Sequence, residues 1–319
     1  FDPAQRAAWA YREDLEHVHP NPDRAERAAS LRGRKNVTTF DDNNTQSALG
    51  FLLAFVDAAK ARPDPRDERI RSALDYGLRR FLEGQYPIGA WPQRWDGRAH
   101  DPVRFPVKPA TIPADYPHEQ PRTGYYQHYT FNDGTHRDAL LLCPEAHRRT
   151  GRPEFREAAR RAAEFILLAQ LPEPQPAWAQ QYNADMQPAW ARAFEPPAVS
   201  AGESAAIVRL LLDLHHESGD GRYLQAAARA VAWFRRSEIA PGRWARLYEL
   251  NSNRPLYGDR DGRIHYTLAE ISEERQRGYG WEGAWDIPAT IAACEQRLAT
   301  VTDSSSSGTL VRPRSVANV

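Results

Sequence analysis

Two short stretches carry the residue types best suited to chemistry. The first is Thr39-Phe40-Asp41-Asp42-Asn43-Asn44-Thr45, followed by the apolar run Ala48, Leu49, Phe51, Leu52 and Leu53. The second is Thr130-Phe131-Asn132-Asp133-Gly134-Thr135, followed by Ala139, Leu140, Leu141 and Leu142. Laying Phe40 on Phe131 puts Asp41 on Asn132 and Asp42 on Asp133, and keeps the apolar runs in register. Each stretch is a helix start, with Asp and Asn oxygens that can accept from free backbone N–H groups ahead of a hydrophobic face. Either alone reads as an ordinary N-cap; the repetition favours a shared site. Carboxylate and amide oxygens without His or Cys favour calcium or magnesium over zinc. The spacing is not that of an EF-hand, so such a site is assembled from distant segments. Asp41, Asp42 and Asp133 are the candidate metal ligands.

Arginine supplies the second set. Arg192 stands in Ala191-Arg192-Ala193-Phe194-Glu195, Arg260 in the tight turn Asp259-Arg260-Asp261-Gly262, and Arg275 and Arg277 near the end of a helix. Guanidinium forks bind carboxylates at two points, which suits an acidic sugar polymer beside a cation site. The competing reading is surface ion pairing of small energetic value. His128 and His136 flank the second acidic stretch and can serve as a base or as structural residues. Glu203 is a ligand or a first-turn acid complementing the helix dipole. Nucleophile-elbow, phosphate-loop, dinucleotide and zinc signatures are missing from the sequence.

The elements that must position these groups are helical hairpins. Helical periodicity covers Thr45–Ala61 and Glu68–Glu83, then Thr135–Arg149 and Glu154–Gln170, then Glu203–Glu217 and Arg222–Arg236. A tryptophan segment follows each pair: Trp91-Pro92-Gln93, Trp178-Ala179-Gln180 and Trp244-Ala245-Arg246. Repeated hairpins must bury their faces on one another. The expected class is therefore mainly α, an α/α toroid of three hairpins with an irregular, short-strand layer, whose first helices start at one pole. That pole gathers Asp41, Asp42, Asn132 and Asp133, with Gly202 and Glu203 in the third copy. The Pro-rich stretch 95–124 interrupts the pattern, and a loop of that length is usually functional. A helix is expected from Leu268 to about Gln276, and a closing helix from Ile287 to about Thr300. The domain reading is an N-terminal extension over 1–36 with a helix at Ala4–Leu15, one toroid domain over 37–300, and a disordered or tag-derived tail over 301–319.

Lys+Arg and Asp+Glu are both 42, so the formal net charge is zero. A general nucleic-acid binder would show a basic excess. Nine Trp and thirteen Tyr in so polar a chain are consistent with carbohydrate binding, although core packing accounts for most of them. Cys143 and Cys294 lie in apolar helical contexts and read as buried thiols, with a disulfide left open. No apolar run approaches a membrane span. The chain begins at Phe1 rather than Met, which reads as a mature or trimmed product.

Taken together and in order, the motifs around Asp41-Asp42, Gln85-Tyr86-Pro87-Ile88-Gly89-Ala90-Trp91-Pro92-Gln93, Thr130-Phe131-Asn132-Asp133-Gly134, Arg192-Ala193-Phe194-Glu195, Arg260-Asp261-Gly262 and Glu270–Tyr279 resemble the pectic acid lyases, family 10 of the polysaccharide lyases. The resemblance runs from about Val37 to Trp281. It implies an α/α toroid and calcium-dependent β-elimination of polygalacturonate, an acidic polysaccharide. Asp41, Asp42 and Asp133 match its calcium positions, and Arg192 its Brønsted base. Arg277, with Arg260 and Arg275, matches substrate-binding arginine, and Trp91 is expected to touch substrate. A secreted or periplasmic monomer is expected, with no nucleic-acid or membrane partner. The sequence departs from the family at Ile88-Gly89-Ala90, usually Asn-Gly-Gly, and at Tyr182-Asn183, which tends to be His-Asp. Alternatives are a lyase for another uronan, a toroid glycoside hydrolase with paired carboxylates, and a non-catalytic carbohydrate-binding scaffold.

Overall fold

The computed structural model describes residues 37–306, apart from 62–63, 65–66 and 123. The extension 1–36, the helix expected at Ala4–Leu15 and residues 307–319 lie outside the described residues. The described chain groups into two compact units. One unit runs to Phe105 and adds Asp133–Ala162; the other comprises Pro106–Asn132 and the chain from Ala163 onward.

In the first unit, β1 (Thr38–Thr39) leads into α1 (Asn44–Ala59) and α2 (Asp67–Glu83), and β2 (Arg94–Trp95) returns antiparallel to β1. Helix α3 (Thr135–Thr150) and the first part of α4 (Glu154–Ala169) complete it, with α1 packed on both α2 and α3. In the second unit, β3 (Tyr129–Thr130) pairs with β4 (Gln181–Tyr182). Strand β5 (Val199–Ser200) enters the hairpin α5 (Ala201–Ser218) and α6 (Gly221–Arg236). Two-residue β6 (Trp244–Ala245) and β7 (Leu247–Tyr248) follow, with β8 (Pro255–Gly258) and β9 (Ile264–His265). The sheet order is β5-β7-β8-β9. Short helix α7 (Glu273–Gly278), β10 (Glu282–Gly283), paired with β6, and α8 (Ile287–Ser306) close the chain, α8 packing on α5 and α6. Helix α8 extends to Ser306, into the stretch expected as tail. The class is mainly α, of the α/α-toroid type expected from the hairpin repeat, and the hairpin boundaries fall within two residues of the sequence reading.

Each hairpin is closed by the same small set of bonds. The strand before it pairs antiparallel with the strand after its tryptophan: β1 with β2, β3 with β4, β5 with β7. The next amide continues the ladder, Phe40 N–H donating to Gln93 O, Phe131 to Gln180 and Ala201 to Arg246, each at 2.9 Å. The indole N–H of Trp91 donates to Phe81 O at 3.0 Å, that of Trp178 to Ile166 O at 2.8 Å, and that of Trp244 to Phe234 O at 2.8 Å. All three acceptors lie in the last turn of the second helix, where carbonyls have no partner within the helix. Four residues further on, Tyr182 Oη donates to Ala169 O at 2.7 Å and Tyr248 Oη to Ser237 O at 2.5 Å. The repeated tryptophans are therefore helix-end caps that also fill the core. Trp91 is fully buried and stacked on Phe81, so the expectation that it touches substrate is corrected: it has no face to offer a sugar. Replacing Trp178 with Phe should keep most of the packing but leave the Ile166 carbonyl buried without its donor. We expect a loss of about 1–3 kcal/mol in denaturant unfolding with KM unchanged.

The helix expected over Leu268–Gln276 is broken in two. A 3-10 turn at Leu268–Glu270 ends at Ile271, which is extended (φ −97°, ψ 158°), and α7 starts two residues later. Local capping wins over helical periodicity here. Glu270 turns back to accept the amides of Tyr266 and Thr267, and Asp259 takes both the N–H and the hydroxyl of Ser272. The break carries Ile271 into a cluster with Phe194, Leu247, Leu256, Tyr257 and Trp281. The 95–124 stretch has no helix, as expected. Its later part is pinned by backbone bonds from Ala110 to Leu168, Thr111 to Met186 and Gln120 to Gly262, at 2.7, 3.0 and 2.8 Å. Cys143 and Cys294 are buried free thiols. Among the described residues no helix is long and apolar enough to cross a membrane.

Candidate active site

The two acidic stretches fold alike. Asp41–Asn43 and Asn132–Gly134 are each one 3-10 turn ahead of a long helix, and each contains a left-handed pair. Asp42 has φ 50° and Asn43 φ 58°, while Asp133 has φ 53° and Gly134 φ 70°. For an L residue this conformation costs roughly 1–2 kcal/mol, and Asp and Asn are among the few that tolerate it. Buried Gln46, in the first turn of α1, ties the two turns together: its Nε2 donates to Phe40 O at 2.8 Å and to Thr135 O at 3.3 Å. The result is that one carboxylate oxygen each from Asp41, Asp42 and Asp133 lies within 4.8 Å of the others. Oxygens bound to one calcium at about 2.3–2.6 Å sit no farther apart than about twice that distance, so the cluster fits a calcium-sized ion. Asp42 and Asp133 are exposed and Asp41 half-buried, leaving room for water or substrate oxygens. Glu203, the third-copy acid, is engaged within the second unit, accepting from Ser200 Oγ and from Gln180 Nε2.

In the second unit the arginines gather on one aromatic ring. Guanidinium carbons of Arg192, Arg275 and Arg260 lie 4.9, 4.5 and 5.9 Å from the centroid of Phe194. Arg192 is gripped at two points by Glu195, with Nε to Oε2 at 2.8 Å and Nη2 to Oε1 at 2.5 Å. Glu195 is only 2 % exposed while the Arg192 side chain is 42 % exposed, so a buried anion holds a guanidinium that reaches solvent. Tyr279 Oη donates to the same carboxylate at 2.8 Å. Behind the ring, Gly258 of β8 leaves no room for a side chain, since a Cβ there would stand 2.3 Å from Phe194 O. Arg260 and Arg275 share Glu274, whose carboxyl their hydrogen bonds hold down at about 2. Arg277 is exposed and pairs with Glu273 one turn earlier at 2.5 Å.

Of the two candidate histidines, His136 is structural. His136 is buried on α3 with Nε2 3.0 Å from Ala162 O, and burial pushes it down to about 4. Burial likewise pushes His128 down to about 4. Both are neutral when folded and take up a proton below about pH 6.5 when unfolded. Their contribution to stability is complete above that value and is lost as the pH falls toward 4. Thermal unfolding scans should show the midpoint dropping through that window, with a smaller drop in His136→Gln relative to its own neutral-pH value.

The pectic acid lyase profile matches residues 6–243 and 237–289, most of the chain. The chain belongs to the pectic acid lyase family. Two solved structures agree: a family 10 polysaccharide lyase from Cellvibrio cellulosa, and an aspartate-to-alanine mutant of it in complex with trigalacturonic acid. Both are 25 % identical to this chain, over 82 % of it and 81–82 % of theirs, with TM-scores of 0.61 and 0.60. No curated protein sequence matches the chain. Membership makes the chain an enzyme of the pectate lyase class, in polysaccharide lyase family 10, and sets aside the hydrolase and scaffold readings.

The structure of this lyase brings Asp41, Asp42 and Asp133 into one cluster and places Arg192, Arg260 and Arg275 around one ring. It does not treat the last two alike. Arg275 is 7 % exposed and acts as a packing residue, whereas the Arg260 side chain is 64 % exposed. Sequence reasoning quoted Phe194 and Glu195 within the arginine motif without seeing that one is the hub and the other the anchor. The spacing of Arg192 and Glu195, three apart in a tight turn with Glu195 N–H donating to Arg192 O at 2.9 Å, was the available signal.

Proposed function

We propose that this lyase cleaves polygalacturonate by calcium-dependent β-elimination, with Arg192 as Brønsted base. The observation carrying the proposal is the convergence of three carboxylates from two repeat-related turns; the second unit separately supplies a solvent-reaching guanidinium anchored by a buried carboxylate. Asp41, Asp42 and Asp133 would hold the ion. When bound, calcium neutralises the uronate carboxylate and stabilises the negative charge that develops on it as the C5 proton leaves. Arg192, in its neutral guanidine form, takes that proton. The C5–H electron pair becomes the C4–C5 double bond, the C4–O4 glycosidic bond breaks with its electrons going to O4, and O4 takes a proton from solvent water. The chain is shortened and carries a 4,5-unsaturated residue at its new end.

Glu195 fixes the direction from which Arg192 approaches, and Tyr279 holds Glu195. Exposed Arg260 and Arg277 are the candidates for gripping neighbouring carboxylates; a guanidinium fork does so at two points. The neighbour bound to trigalacturonic acid supports a galacturonate substrate. The test is incubation with polygalacturonate, with and without a calcium chelator, following the ultraviolet absorbance of unsaturated uronates. A rise that the chelator abolishes and added calcium restores is expected. Reducing ends without a rise in absorbance would mean hydrolysis and end the proposal.

A further inference from the structure

The left-handed turn of the two acidic stretches occurs a third time, ahead of α8, and there it carries a tryptophan. Trp285 has φ 42° and Asp286 φ 58°, followed directly by Ile287, the first residue of α8. In register, Trp285 stands where Asp42 and Asp133 stand ahead of α1 and α3. A bulky residue in this conformation is an outlier, kept only where its surroundings fix it. The surroundings are two glycines. A Cβ added at Gly202 would meet the five-membered ring of Trp285 at 3.4 Å, and one at Gly283 would meet its six-membered ring at 3.4 Å. The indole thus rests on bare backbone along its length, and it is half-exposed.

Beside it lies Arg246, its guanidinium carbon 5.6 Å from the Trp285 ring and 4.3 Å from that of Tyr279. Arg246 is held by its own Nε, which donates to Gly280 O at 2.7 Å. Arg192 also reaches Tyr279, its guanidinium carbon 5.9 Å from the ring centroid. Arg192, Tyr279, Arg246 and Trp285 are therefore linked by successive ring contacts within the second unit.

We infer that Arg246 and Trp285 form a uronate subsite, the indole stacking on the pyranose and the guanidinium binding its carboxylate. A half-exposed indole with a fixed cation 5.6 Å from its centroid matches a sugar that is apolar on its ring face and anionic at one corner. This rests on the function proposed above and assigns two further substrate-binding residues to it. Neither residue touches the reacting atoms in this assignment, so they govern binding more than turnover.

The test uses Trp285→Ala, Trp285→Phe and Arg246→Gln, with polygalacturonate of graded length as substrate and thermal melting as the fold control. Trp285→Ala should raise KM about tenfold on long chains with kcat within about twofold of the parent. Trp285→Phe should recover most of that loss. Arg246→Gln should raise KM comparably, and less so when the substrate carboxyls are methyl-esterified. If KM is unchanged in Trp285→Ala, or if melting and kcat fall together while KM holds, the subsite is overturned and Trp285 is structural. A parent enzyme inactive on polygalacturonate would instead defeat the function on which the subsite rests. That outcome is separate, because it is read without any variant.

Discussion

Replacing Arg192 with alanine should lower kcat on polygalacturonate by about 10²–10⁴-fold, the range a positioned base supplies. Alanine leaves the buried Glu195 carboxylate without its guanidinium, so the variant should also melt earlier, and its kcat is to be read below its own melting temperature. Lysine should not rescue it. A single ammonium cannot reproduce the two-point fork on Glu195, and its charge would sit at a different place. Glu195→Gln should reduce activity less than Arg192→Ala but leave the guanidinium poorly aimed, and displacements of that kind in active sites cost up to roughly 10²-fold. Guanidinium groups ordinarily lose a proton only near pH 12 or above, so the rate should climb with pH into the alkaline range. Initial rates of unsaturated product across pH decide the matter. Parent-like turnover in Arg192→Ala, or a flat or acidic profile in the parent, removes Arg192 from the base role.

The acidic cluster carries the second large effect. Asp133→Ala removes one of three carboxylates whose oxygens lie within 4.8 Å. A bound cation is worth several kcal/mol of charge stabilisation, so the loss of activity should be on the order of 10²–10³-fold at calcium levels that saturate the parent. More calcium should recover part of it. A readout independent of turnover is available. Calcium bound to the folded state alone raises the melting temperature, by about 2.7 kcal/mol of stability at a hundred times its dissociation constant. Parent protein should show this shift and lose it to chelator, and Asp133→Ala should show little of it. An Asp133→Ala variant with the parent's calcium response would place the ion elsewhere.

The duplicated acidic stretch was legible because both copies keep the same order, aromatic then two oxygen-bearing residues then an apolar helix. That order survived into three dimensions as the same turn. The tryptophans were equally visible as a repeat but were misread at Trp91. An aromatic in a polar loop looks like a sugar platform in sequence, and nothing in the letters shows that its N–H ends on the Phe81 carbonyl. The two arginines of Glu273–Gly278 looked alike in the sequence and differ in the structure. Two residues apart on a helix, Arg275 and Arg277 point to different sides whatever the helix's phase. Which of the two faces Phe194 depends on where the short helix starts after the break at Ile271, and there Arg275 lies on Phe194 while Arg277 stays exposed. Trp285 was invisible because left-handed backbone is signalled by Gly or Asn, and that position has neither.

The left-handed turn ahead of α1, α3 and α8 behaves as a socket whose occupant is exchangeable. Its backbone is set by the incoming chain and the helix behind it, and the side chain at the seat is a carboxylate twice and an indole once. Ahead of α5 the socket is missing, since Ser200 enters the helix directly at φ −106°, ψ 125°. Scaffold and reagent are thus separately variable in this enzyme. Swapping the seated residue alters what a pole of the molecule can grip without reworking any hairpin beneath it.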